Sequence, residues 1–195
     1  MEPRLFLQAN HLGVGVYARK SFEIGEEILV FHGMEVFGKD AAASPHTLQI
    51  SSYGYLDVDP PGRYVNHSCL PNAGITAGNT LIAITPLHAG MEITFDYSTT
   101  MMAENTWLME CACGAKNCRG LIEDFDRLPF NLQNHYFKLG VVSDFVAERL
   151  GRQTRHQRLH RMLVNQALRS LPFPDQGNLA DTKPSHQDPY YENYR

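Results

Sequence analysis

The sequence predicts a mainly β domain, followed by a cysteine-rich segment and a helical C-terminal part. Three observations carry that prediction. From residue 4 to about residue 97, β-branched and aromatic runs recur between turn residues, at the spacing of short strands. No long amphipathic helical pattern interrupts that stretch. After Cys118 the pattern changes to the i, i+3, i+4 spacing of helices.

The elements follow in order. Gly13-Val14-Gly15-Val16-Tyr17-Ala18 reads as a glycine-punctuated strand, and Glu27–Phe31 and Met34–Phe37 as the next two. Thr47–Ile50, Gly54–Val58, Thr80–Ile84 and Glu92–Phe95 continue the series. Phe22–Ile28 and Pro86–Ile93 echo each other. Each carries a glycine, Gly25 or Gly90, two residues before a Glu-Ile pair, where a positive φ turns the chain into a strand. Pro129–Leu139 and Val141–Leu171 read as helical. Val142, Phe145, Val146 and Leu150, then Leu159, Met162 and Leu163, form the apolar side of the second. From Pro172 the chain is rich in Pro, Asp, Asn and Tyr and poor in aliphatics, as expected of a mobile tail. The expected division is residues 1–104, 105–124, 125–171 and 172–195.

Composition narrows the function classes. The chain has 195 residues, 43% apolar and 19% charged, with a net charge of −4. That is an ordinary globular balance with no global nucleic-acid signature. No run of about 18 apolar residues exists to span a membrane. The first residues, Met1-Glu2-Pro3-Arg4-Leu5, lack the basic-then-apolar pattern of a secretion signal. An intracellular protein is expected, cytoplasmic or, in a eukaryote, nuclear, and monomeric or weakly self-associating.

Cys69, Cys111, Cys113 and Cys118 are the only cysteines. Thiols clustered as C-x-C-x4-C in a reducing compartment favour metal over disulfides. Structural zinc takes four soft ligands in a tetrahedron. The simplest site therefore uses all four thiolates, with Cys69 as the remote one. The alternative is four buried or redox-active thiols without metal.

Arg63-Tyr64-Val65-Asn66-His67-Ser68-Cys69-Leu70-Pro71-Asn72 is unusual for a β domain. It gathers Asn, His and Ser where a core strand would alternate apolar residues. Buried, these groups need hydrogen bonds; on its own the segment also fits a polar turn with a satisfied histidine. Glu92-Ile93-Thr94-Phe95-Asp96-Tyr97 sets an acid between two aromatics, which on their own read as core or rim residues.

Taken together these stretches resemble the SET-domain protein-lysine methyltransferases with a post-SET zinc segment. The resemblance rests on Gly13–Tyr17, on Arg63–Asn72 as R-[FY]-x-N-H-S-C-x-P-N, on Glu92–Tyr97 as E-[IL]-T-F-D-Y, and on Cys111–Gly120 as C-x-C-G-x3-C-R-G. It implies several short sheets with a threaded, pseudoknot-like cofactor site, then a four-cysteine segment and a helical extension. It implies a methyl transfer from S-adenosylmethionine to a lysine amine. Gly13, Val14, Gly15, Val16 and Tyr17 would lend main-chain groups to that cofactor. Arg63, Tyr64, Asn66 and His67 would line its site, and Leu121 would lie against the adenine. Tyr97 matches the catalytic tyrosine and would also touch the cofactor. Phe95 matches a position that limits the number of methyls; phenylalanine there leaves room for di- or trimethylation. A second channel aromatic usually precedes the Asn-His motif, and His46, Tyr53 and Tyr55 are the nearest residues. Cys69, Cys111, Cys113 and Cys118 would hold one structural zinc.

The implied partner is a protein presenting a lysine, histone or not. Arg149, Arg152, Arg155, Arg158 and Arg161 add a basic helix face, read either as solvated or as a contact for nucleic acid or an acidic partner. Two rival functions remain open on sequence. One is a SET-fold scaffold without catalysis; the other is a zinc-stapled nucleic-acid binder.

Overall fold

The first hairpin sets the scale of the molecule: strands are short and sheets are small. In the computed structural model, which describes residues 3–38, 46–102 and 108–151, β1 (Leu5–Asn10) and β2 (Gly13–Ala18) pair antiparallel, Leu5 opposite Ala18 and Asn10 opposite Gly13. β3 (Glu27–Val30), β8 (Ala73–Thr76) and β9 (Thr80–Ala83) form a sheet in the order β3-β9-β8. β4 (Gly33–Phe37), β5 (Thr47–Gln49) and β6 (Gly54–Val58) form another in the order β4-β6-β5. β7 (Asn66–His67) and β10 (Thr94–Phe95) pair parallel, and β11 (Leu108–Glu110) and β12 (Leu121–Glu123) antiparallel. The fold is mainly β, as expected from the recurring short runs.

The paired turns form as their sequences predict. Gly25 has φ +84° and Gly90 +87°, and the segments leading into them bridge antiparallel at Phe22 and Leu87. Both turns deliver an isoleucine to the core, Ile28 at 3% exposure and Ile93 at 0%. With Val16, Phe22, Phe31, Leu56, Leu81 and Phe95 these residues make the first apolar cluster. Burying each such side chain contributes roughly 1.5–3 kcal/mol before the entropy of ordering is set against it.

α1 (Phe130–Leu139) begins after Pro129, which presets the entry to a helix, and ends at Gly140 in the left-handed conformation. α2 (Asp144–Arg149) starts later than the apolar spacing predicts, because Val141–Ser143 lie outside both helices and Ser143 is extended. The described part of the predicted apolar stripe is nevertheless turned inward, while Leu159, Met162 and Leu163 lie outside the described residues. Val142, Phe145 and Val146 join Phe125, Tyr136 and Phe137 in a second cluster, against which Ile82 and Ile84 pack. Of the five arginines in the basic stretch only Arg149 is described; Arg152, Arg155, Arg158 and Arg161, the rest of that helix and the tail lie outside the described residues. All described residues belong to one unit, Met1–Arg161. Among them no helix is long and apolar enough to cross a membrane.

Candidate functional site

The two polar stretches singled out in the sequence are brought side by side by the shortest sheet. β7 and β10 run parallel, with Asn66 beside Thr94 and His67 beside Phe95. The Ser68 N–H donates to the Phe95 carbonyl at 3.1 Å. Asn72 completes the join by imitating a strand. Its amide donates to the Glu92 carbonyl at 2.7 Å and its Oδ1 accepts the Thr94 N–H at 2.9 Å. Ser68 closes the turn that follows, accepting the Leu70 N–H at 3.1 Å. Polar residues occupy these positions because they replace ladder bonds that a two-residue strand cannot supply.

Glu92 ties this pair to the first hairpin. Its Oε1 accepts from the Asn66 amide and from the Asn10 amide, each at 2.8 Å, and its Oε2 from the Tyr17 hydroxyl at 3.4 Å. The Asn66 amide also donates to the Val14 carbonyl at 3.1 Å. A Cβ on Gly15 would stand 2.5 Å from Glu92 Oε1 and 2.8 Å from the Asn10 amide nitrogen. Gly15 is therefore a glycine because a carboxylate crosses over it, a reason separate from cofactor approach. Within the Gly13–Tyr17 run, Gly13 and Val14 face outward, whereas Val16 and Tyr17 belong to the interior. The Val16 carbonyl is already taken by the Ile93 N–H at 2.8 Å. Among the described residues Asn66 Oδ1 has no partner, so an acceptor stands open beside Val14, as an ammonium-bearing ligand requires.

Tyr97 is held at both ends. Its hydroxyl donates to the Val65 carbonyl at 2.9 Å and its N–H to His67 Nδ1 at 3.2 Å. The ring lies 4.8 Å from Phe95 and 5.3 Å from His67, and Phe95 in turn meets Phe31 at 5.9 Å. Phe31, read from sequence only as the end of a strand, is thus the wall behind Phe95. Burial, and then the negative charge of Glu92, push the Tyr97 phenol well above its ordinary range, so it stays protonated at neutral pH.

The remaining predicted residues divide. Tyr64 packs on the first cluster. Arg63 pairs with Asp57 at 3.3 Å. Tyr55 is buried, its phenol pushed up by burial and then by Asp124, while Tyr53 is exposed. Leu121 on β12 is 44% exposed, open enough to meet a ligand.

The thiols converge. The sulfurs of Cys69, Cys111 and Cys113 and a ring nitrogen of His67 all lie within 4.8 Å of one another. Cys118 is exposed, and its thiol donates to the Cys111 carbonyl at 3.7 Å. The Cys69 and Cys111 sulfurs are 3.7 Å apart, against about 3.8 Å for the edge of a tetrahedron with Zn–S near ~2.3 Å. Main-chain N–H groups point at sulfur, among them Cys69 to Cys113 at 3.5 Å, Arg119 to Cys69 at 3.4 Å and Gly120 to Cys118 at 3.4 Å. Burial opposes ionisation of Cys113, but the N–H groups of Cys69 and Ala115 outweigh it and hold the thiol down to about 6. Soft donors at this spacing, with N–H groups aimed at them, fit a thiophilic ion such as zinc.

Sequence reasoning missed the group between the aromatics. Asp96 is 1% exposed and sits in a ring of donors. Arg119 grips it with both terminal nitrogens, each at 2.8 Å, and the Tyr136 hydroxyl donates to it at 2.7 Å. The Ser98 N–H adds a bond at 3.2 Å, and His67 Nδ1 stands 3.5 Å away. Burial works against the Arg119 charge, but Asp96 prevails and holds the guanidinium above its ordinary value. His67 is pushed down to about 4, by burial first and against the pull of Asp96, and is neutral at physiological pH.

Comparison with known proteins agrees with this geometry. A family model described as SET domain matches residues 13–98. The chain is 29% identical over 131 residues to the histone-lysine N-methyltransferase Set2 of Drosophila melanogaster, covering 56% of this chain and 6% of that protein. It is 24% identical over 142 residues to the H3 lysine-4 specific histone-lysine N-methyltransferase of Saccharomyces cerevisiae, covering 62% of this chain and 13% of that protein. A solved structure of KRYPTONITE in complex with mCHG DNA and SAH is similar over 63% of this chain and 30% of that chain, at 20% identity and a TM-score of 0.48. The chain thus spans only a small part of the curated relatives it matches. With the parallel Asn66–His67 and Thr94–Phe95 pair and the clustered thiols beside them, residues 13–98 of this chain match the SET domain.

Proposed function

We propose that this chain is a protein-lysine N-methyltransferase that uses S-adenosylmethionine and carries one structural zinc. The observation that carries the reading is Tyr97, pinned by its hydroxyl to Val65 and by its amide to His67, directly beside Asn66 and the open acceptor next to Val14. S-adenosylmethionine supplies an electrophilic methyl on a sulfonium. The chain has to hold an amine in line with it and keep water away. A lysine with pKa ~10.4 is mostly protonated at neutral pH, and apolar walls such as Phe95 and Phe31 favour its neutral form. Tyr97 stays protonated and so does not act as the base; its oxygen directs the lone pair. Positioning is the main catalytic contribution.

Within this reading Asn66 and His67 hold the amino-acid end and the adenine, with Gly13, Val14 and Leu121 around them. Tyr55, buried and close to Asp124, is the better channel aromatic than exposed Tyr53. Zinc is assigned to Cys69, Cys111, Cys113 and Cys118. A ring nitrogen of His67 lies within 4.8 Å of the Cys69, Cys111 and Cys113 sulfurs and Cys118 does not join that group, but His67 Nδ1 accepts the Tyr97 N–H, which puts the ring proton on Nε2. Nε2 then donates to the Cys69 sulfur at 3.3 Å instead of binding metal. The likeness to histone-lysine methyltransferases suggests a histone lysine as substrate and a nuclear setting.

The test is transfer of labelled methyl from S-adenosylmethionine to an array of lysine peptides, with arginine replacing lysine as control. Label on lysine peptides only supports the reading. Cofactor binding without transfer to any peptide or to the chain itself favours the non-catalytic scaffold. Product number is tested separately. Within this reading phenylalanine at position 95 allows di- or trimethyl-lysine, and Phe95→Tyr is expected to shift the product to monomethyl-lysine by mass spectrometry. An unchanged distribution contradicts the assignment.

A further inference from the structure

We infer that Tyr136, on α1 beyond the thiol segment, is a positioning residue for the zinc and cofactor site, acting through Asp96 and Arg119. The inference rests on the zinc reading above. It starts from a shared oxygen. Asp96 Oδ2 accepts from Arg119 Nη1 at 2.8 Å and from the Tyr136 hydroxyl at 2.7 Å, while Oδ1 accepts from Arg119 Nη2 at 2.8 Å and from the Ser98 N–H at 3.2 Å. The phenol therefore keeps the Asp96 carboxylate turned to meet both arms of Arg119.

Arg119 follows Cys118 directly in the chain, and its own N–H donates to the Cys69 sulfur at 3.4 Å. Fixing its guanidinium fixes the path by which the thiol segment returns to Cys69. On the other side, Asp96 lies between Phe95 and Tyr97 and within 3.5 Å of His67 Nδ1. One buried carboxylate thus couples the aromatic wall, the Asn-His segment and the metal-binding loop, and α1 supplies one of its donors. Tyr136 is 2% exposed and held by the second apolar cluster, so its hydroxyl has one direction to point. Tyr136 also lies outside the residues matched by the SET-domain model, 13–98.

The experiment measures zinc release from the zinc-loaded full chain to an excess of a chromophoric chelator. Tyr136→Phe removes only the hydroxyl. Phe137→Leu, in the same helix and cluster and packed on Phe125 at 5.5 Å, serves as a control for loss of packing. Tyr136→Phe is expected to release zinc roughly tenfold faster than wild type, the scale of one lost charge-assisted hydrogen bond. Phe137→Leu is expected to stay within about twofold even where it lowers Tm as much. Equal acceleration by both variants, or by neither, overturns the positioning role. A wild-type chain that retains no zinc after loading overturns the zinc reading itself, and with it the inference.

Discussion

Asp96→Ala is expected to destabilise the fold by about 3–5 kcal/mol, the usual cost of stranding a buried charge. Arg119 loses both of its short bonds and Tyr136 loses its acceptor. Domains of this size have only ~5–15 kcal/mol of total stability, so the variant should unfold at much lower urea than wild type. Adding Arg119→Met should recover part of the loss, because it removes the stranded charge. A single-variant cost under about 1 kcal/mol, or a double variant worse than the sum of the two, contradicts the account of this cluster.

Tyr97→Phe should leave the fold nearly intact and cost about 1 kcal/mol for the lost bond to Val65. Methyl transfer should nevertheless fall about a hundredfold or more, because positioning is what the hydroxyl contributes. The loss should appear in kcat, with the KM for S-adenosylmethionine little changed. The pH profile separates positioning from base catalysis. The Tyr97 phenol is held above its ordinary range and the amine must be neutral to react. The wild-type rate should therefore rise with pH toward the lysine value of ~10.4, with no limb near neutrality owed to Tyr97. A variant within about threefold of wild type contradicts the role given to Tyr97.

Much of this architecture was legible from residue pattern because patterns report burial. The runs that became β2, β3, β4, β5, β6 and β9 carry enough β-branched and aromatic residues to show themselves. Gly25 and Gly90 showed themselves because a positive φ before a strand leaves few alternatives. β1 was missed because Leu5–Asn10 is largely surface and lacks an alternating face. β7 was missed because two polar residues cannot carry a period, and its partner is β10, 28 positions away (Asn66 beside Thr94). Cys111, Cys113 and Cys118 were legible because their C-x-C-x4-C spacing is local, and Cys69 because it is the one cysteine left over. The acids were not. Glu92 and Asp96 look like ordinary members of a strand end, and nothing near them in sequence reveals Asn10, Asn66, Arg119 or Tyr136 as partners. Buried carboxylates are specified by tertiary donors, which single-chain spacing does not record.

The central claim is that a metal-clamped segment completes a site for a methyl donor. Calorimetric titration of the zinc-loaded full chain with S-adenosylmethionine tests it most directly, repeated after zinc is removed by chelation. The account predicts saturable one-site binding to the loaded chain, weaker by at least about tenfold once the metal is gone. A zinc-loaded, folded chain that gives no binding heat and protects no cofactor from competing capture contradicts it.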